Sequence, residues 1–223
     1  MKKIMFLLIC TMLLPTITEA KKSTLRVFDD CMIYGQSGRN SEKKGSALSL
    51  TTGLTYSLAG ANDNTYTKYI DVMLFFGKTD KIKTETFHLF APEDPTLNID
   101  WDADGGTKPY NKFVGKSEDP DDIYYALRNW KVRNFTKLKL VTGEVDYDNA
   151  TDESIAAMEI SDSYIVSNLK IGDIILFELA PTSPKAGKKG LIKITGMEDD
   201  PTKPEQKGNG KYQRFILSIK IQK

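Results

Sequence analysis

The sequence predicts a mostly-β fold, an antiparallel β-sandwich of jelly-roll-like type carrying one or two short helices. Three observations predict it. Apolar residues recur with period two in the clearest segments. Short strand-like runs follow one another with turn-forming residues between them. No long stretch of helical periodicity interrupts the series.

The C-terminal run is the cleanest strand. Gln213, Phe215, Leu217, Ile219 and Ile221 alternate with Tyr212, Arg214, Ile216, Ser218 and Lys220, so one face is set for the core. Tyr69 to Phe76 places Ile70, Val72, Leu74 and Phe76 on one face, with Met73 and Phe75 opposite, as expected for a strand buried on both sides. Ser46 to Leu58, Thr84 to Phe90, Lys137 to Thr142, Asp173 to Leu179 and Leu191 to Thr195 read as further strands. Two helices are expected. One starts at Asp119-Pro120, with Ile123, Leu127 and Trp130 as an apolar stripe; the other starts at Thr151 and runs through Ile155 and Met158. Gln36 to Gly45, Ile99 to Asp119 and Met197 to Gly210 are polar interruptions, the middle one long for a connection in a compact domain.

The N-terminus carries a different signal. Lys2 and Lys3 precede an apolar run from Ile4 to Leu14, Pro15 breaks it, and Thr18-Glu19-Ala20 ends on a small residue. That three-part layout is expected of a secretory signal peptide at 1–20, leaving a single domain at 21–223. Cys10 follows bulky Ile9 and lies inside the apolar run, a poor context for lipidation. The mature chain then holds one cysteine, Cys31, read as a small buried hydrophobe rather than a disulfide partner.

Taking Lys2 and Lys3 from 31 basic residues and Glu19 from 30 acidic ones leaves 29 of each. Such neutrality argues against a non-specific nucleic-acid binder, which needs a basic face for phosphates. No second apolar run reaches spanning length, so no membrane insertion of the mature chain is expected.

The sharpest local motif is Asp100-Trp101-Asp102-Ala103-Asp104-Gly105. Carboxylates at alternate positions followed by glycine can wrap Ca²⁺, which takes six to eight oxygens, so Asp100, Asp102 and Asp104 are candidate calcium ligands. The second half of an EF-hand loop does not follow, because Asn111 stands at the twelfth position and Pro109 interrupts. A solvated acidic turn is the competing reading. Trp101, Tyr110, Phe113, Tyr124, Tyr125 and Trp130 gather near this loop; Trp101 and Tyr110 are candidate contacts for a sugar ring or a protein partner.

No catalytic residue is assigned. His88 is the only histidine and reads as a satisfied strand histidine, grouped by alternation with Thr84 and Thr86 on the less apolar face of its strand. Zinc ligand sets and Gly-rich phosphate loops do not occur. Lys185, Lys188 and Lys189 among Pro181, Pro184, Gly187 and Gly190 read as a hairpin loop.

Three segments resemble domains of secreted proteins and lipoproteins from the Bacteroidota. They are Ile70 to Gly77, Trp130 to Leu138, and Gly172 to Phe177 followed by Lys189 to Ile194. The resemblance spans roughly Ser46 to Lys223 and implies an exported or cell-surface setting, with no defined activity and no catalytic residue. The expected function is an extracytoplasmic binding or adhesion module for glycan or an envelope protein. The alternatives are a carbohydrate-active hydrolase using two carboxylates, and a structural envelope component with an extended surface or edge strand.

Overall fold

The computed structural model describes residues 25–35, 45–61, 65–77, 82, 84–92 and 134–223. The expected 1–20 signal, Cys10, the helix expected from Asp119 to Trp130, and the candidate loop with Asp100, Trp101, Asp102, Asp104 and Tyr110 lie outside these residues.

Among the described residues, two five-stranded antiparallel sheets face each other, a β-sandwich as the periodicity predicts. The first holds β1 (Leu25–Tyr34), β10 (Gln213–Gln222), β9 (Lys189–Asp199), β8 (Ile174–Glu178) and β6 (Lys137–Leu140), in that order. The second holds β3 (Thr55–Tyr56), β2 (Ala47–Leu48), β4 (Val72–Gly77), β5 (Thr86–Phe90) and β7 (Ile165–Ser167). Among the described residues, no helix is long and apolar enough to cross a membrane.

The core lies between the sheets. Phe215, Leu217, Ile219 and Ile221 of β10 meet Val72 and Leu74 of β4 and Phe87 and Leu89 of β5 there. The alternation in β10 therefore chose its inward face correctly. Met73 and Phe75 are also buried, in line with a strand covered on both sides. Gly190 of β9 is required by close packing, since a Cβ there would run into the Lys220 carbonyl oxygen and the Phe177 ring.

A second apolar layer covers the outer face of the first sheet. Residues 141–160 fold back so that Val141, Tyr147 and Ile155 pack on Leu25, Ile174, Leu176 and Leu191. Here the expected helix forms as a single short element at Asp152–Ala156. Thr151 is its N-cap, in a reciprocal capping box with Ser154. Lys189 Nζ donates to the carbonyls of Ala156 and Met158 at its C-terminal end. Five residues cannot hold helical structure alone, so the packing of Ile155 supports it.

Several expectations are corrected. Ser46 to Leu58 is a hairpin rather than one strand: Gly53 turns at φ +72, and Ser49 N–H bonds to the Leu54 carbonyl at 2.9 Å. β9 continues through Met197 to Asp199, into the stretch read as a polar interruption. β1 was not anticipated, because a bulge between Phe28 and Cys31, with Asp30 at φ 56, breaks its alternation. His88, grouped by alternation with the less apolar face of its strand, is fully buried, because β5 is covered on both sides. The lysine-containing segment at 179–188 does connect β8 and β9 as a hairpin.

Candidate functional site

Period-two alternation continues from residue 134 into β6 and sorts its side chains. Asn134, Thr136 and Leu138 turn inward and are buried, while Phe135 and Lys137 turn outward. The two sets build two different environments, one beneath the other.

On the outside, Phe135 is 42 % exposed and meets Tyr164 edge to face, ring centroids 5.6 Å apart. Lys137 lies opposite Glu178 in the β6–β8 register, and its ammonium reaches Asp162 at 2.9 Å and Glu178 at 3.4 Å. Both carboxylates raise the lysine's pKa, Asp162 foremost. Phe135, Lys137 and Glu178, with Leu179 to Pro181 and Gly187 of the β8–β9 loop, line an open cleft of about 340 Å³. The cleft thus offers an aromatic ring, an apolar wall, the Lys137 ammonium and the Glu178 carboxylate. Such a lining can stack a ring and hydrogen-bond hydroxyls without presenting one dominant charge.

Beneath it lies a buried polar cluster. Asp71, just before β4, is fully buried. Its Oδ2 accepts the Leu50 N–H at 2.8 Å and its Oδ1 accepts the Asn134 side-chain amide at 3.3 Å. Asn134 is held for this contact from its other end, where Oδ1 accepts both the N–H and the hydroxyl of Thr136 at 2.8 and 2.7 Å. Ser183 Oγ, from the β8–β9 loop, also faces Asp71 but makes no well-formed hydrogen bond. Burial pushes the Asp71 carboxyl up to about 7, against the opposing pull of these donors.

A third feature is a tyrosine group on the outer edge of the second sheet. Tyr56 and Tyr66 lie with ring centroids 5.3 Å apart, Lys68 sits over Tyr69 at 5.1 Å, and Leu54 nearby is 57 % exposed.

The remaining candidates are inert in this arrangement. His88 Nε2 faces the Gly77 carbonyl at 3.0 Å, and a carbonyl can only accept, so this nitrogen carries the proton. Nδ1 then accepts from the Ser167 hydroxyl at 2.8 Å, and the ring stacks on Phe75. Burial lowers its pKa, so the neutral form is the resident one, a satisfied strand histidine. Cys31 is buried, and burial, with Asp29 and Asp30 adding, raises its thiol pKa away from the reactive thiolate. Among the described residues no group of three or more His, Cys, Asp or Glu side chains is placed to hold a metal ion.

Sequence reasoning missed Asp71, Asn134 and the Phe135–Lys137–Glu178 cleft. The signal for Asp71 was present: it is the lone acid inside the apolar run Tyr69 to Phe76. The cleft left no such trace, since Asp162, Tyr164 and Glu178 join Phe135 only through sheet pairing and chain return.

No family model matches the sequence, and no curated protein matches it. A solved structure shares the fold. A DUF4466 family protein from Parabacteroides merdae ATCC 43184 aligns with TM-score 0.52 and 14% identity, over 90% of this chain and 54% of that one. This chain therefore spans about half the length of that neighbour. The neighbour's source belongs to the Bacteroidota, the group to which the strand motifs pointed, and at this identity the likeness is one of fold.

Proposed function

We propose that this chain is an exported, extracytoplasmic binding module that recognises glycan at the Phe135–Lys137–Glu178 cleft. The observation that carries the reading is the exposed Phe135 ring, steadied by Tyr164, beside an ammonium that is already paired with Asp162 and Glu178. A sugar presents an apolar face for stacking and hydroxyls around its rim, and this lining complements both. Export is supported by the 1–20 signal pattern and by the Bacteroidota resemblance of the strand motifs.

The hydrolase alternative asks for two carboxylates with a glycosidic oxygen between them. Asp162 and Glu178 are a nearby pair, but Lys137 Nζ binds both and occupies the space a scissile bond needs. The arrangement favours binding over cleavage.

The test is retention on immobilised oligosaccharides by the wild-type protein and Phe135→Ala. Retention by the wild type that falls at least tenfold in the variant, with an unchanged Tm, is the expected result. Equal retention by both proteins, or none by either, overturns the assignment.

A further inference from the structure

We propose that Asp71 is a proton-controlled clasp joining three chain segments beneath the cleft. With its proton, it holds the β2–β3 turn, the start of β4 and the approach to β6 as one unit. Without it, the carboxylate keeps the same donors but is a buried charge with no cation beside it among the described residues, and the unit loses stability.

The geometry supplies three supports. Asp71 is fully buried, and its two oxygens are bonded to residues 21 and 63 positions away, Leu50 and Asn134. The turn is committed to the same spot through the Asp71 N–H bond to the Leu48 carbonyl at 3.0 Å and the Ser49–Thr51 hydroxyl contact at 3.0 Å.

The second support is the absence of a compensating cation among the described residues. The β2–β3 turn brings Ser49, Leu50 and Thr51; the approach to β6 brings Asn134 and Thr136; the β8–β9 loop brings Ser183. All are uncharged. Tyr56 of β3 is the titratable neighbour, and burial raises its pKa further above the neutral range. A buried carboxylate without a cation is costly to ionise.

The third support is Ser183 Oγ, buried, turned towards the carboxyl and without a well-formed bond. It lies close enough to act on the Asp71 carboxyl, and a hydroxyl can accept from the acid or donate to the anion.

The sign follows from linkage. Asp71 binds its proton more tightly folded than unfolded, so its contribution is complete below the unfolded value of 3.8 and is lost as pH rises through the folded one. The experiment compares wild type with Asp71→Asn by chemical unfolding from pH 5 to 8.5, alongside the Asp71 ¹³Cγ resonance of the wild type. His88 is present in both proteins, so its titration cancels in the ratio of folding constants.

The expected result is a wild-type to variant ratio that falls, at most about tenfold per pH unit, up to pH 7 and levels off by pH 8. The ¹³Cγ signal, the Leu50 backbone N–H and the Asn134 side-chain N–H signals should share one midpoint near neutrality. A ¹³Cγ midpoint near 4, with a ratio independent of pH, overturns the clasp. If Asp71→Asn does not fold, the wild-type resonances decide the matter. No ligand enters the test, so its outcome is separate from that of the glycan assignment.

Discussion

Two polar networks hold this sandwich, one between the sheets and one outside them, and they handle a carboxylate differently. Asp71 is enclosed, and amide and hydroxyl groups from three segments converge on it. Asp29 lies at the bulge of β1 with its residue exposed; it accepts a short hydrogen bond from Ser218, which accepts from the Tyr147 hydroxyl at 2.8 Å. Lys220 Nζ completes the outer network, donating to the Tyr147 and Asp148 carbonyls at 2.8 and 2.9 Å and lying 4.7 Å from the Tyr147 ring centroid. The outer network keeps its carboxylate in reach of water and buries the Ser218 hydroxyl and the phenol, whose pKa burial pushes up to about 12. The comparison teaches that enclosure, rather than the number of bonds, sets what a polar group costs to disturb.

Breaking the enclosed network should have the largest effect. Asp71→Ala strands the Leu50 N–H and the Asn134 amide in a buried site, where each unpaired donor costs roughly 1–3 kcal/mol, so a loss of about 3 kcal/mol is expected by denaturant titration. A loss below about 1 kcal/mol would mean water reaches the cluster. Lys220→Met should cost less, about 1–2 kcal/mol, because the freed carbonyls lie near solvent. Limited proteolysis should then cut first within residues 143–150.

Tyr147→Phe keeps the ring in the outer layer and removes one hydroxyl, for about 1 kcal/mol. A larger loss would show that Ser218 and Asp29 depend on the phenol for their geometry. His88 gives a pH-dependent contrast of opposite sign to Asp71. Its folded pKa is lowered, so its contribution is complete above the unfolded 6.5 and is lost as pH falls below it. Tm in Asp71→Asn should therefore fall by a few degrees from pH 7 to 5.5; a flat profile would mean that His88 protonates without cost. Phe135→Ala, at an exposed position, should stay within about 0.5 kcal/mol of wild type.

The inter-sheet core was legible in the sequence because burial on one face leaves a period of two, as β10 shows. What escaped did so for identifiable reasons. β1 breaks its own period at the Asp29–Asp30 bulge, and β7 is three residues long, too short to display one. The Thr51-Thr52-Gly53 turn hides inside an apolar, strand-like run. The buried hydroxyls and amides around Asp71 are scattered over more than 100 positions, and only the packing of the sheets makes them neighbours. The cleft is likewise a product of register, Lys137 against Glu178, rather than of any motif. Trp101, Tyr110 and the Asp100–Asp104 carboxylates remain sequence-based candidates outside the described residues.

The sides of the sandwich carry a further consequence. On one side the Leu138 N–H crosses to the Ser163 carbonyl at 2.7 Å; on the other, Tyr34 N–H reaches the Gly45 carbonyl at 2.9 Å and Arg26 reaches the Thr51 carbonyl. Backbone groups that would otherwise face outward are spent within the molecule, and the acidic kink in β1 spoils the flat ribbon that a foreign strand would need. A foreign strand approaching the sandwich at these points should therefore find fewer free backbone groups to pair with.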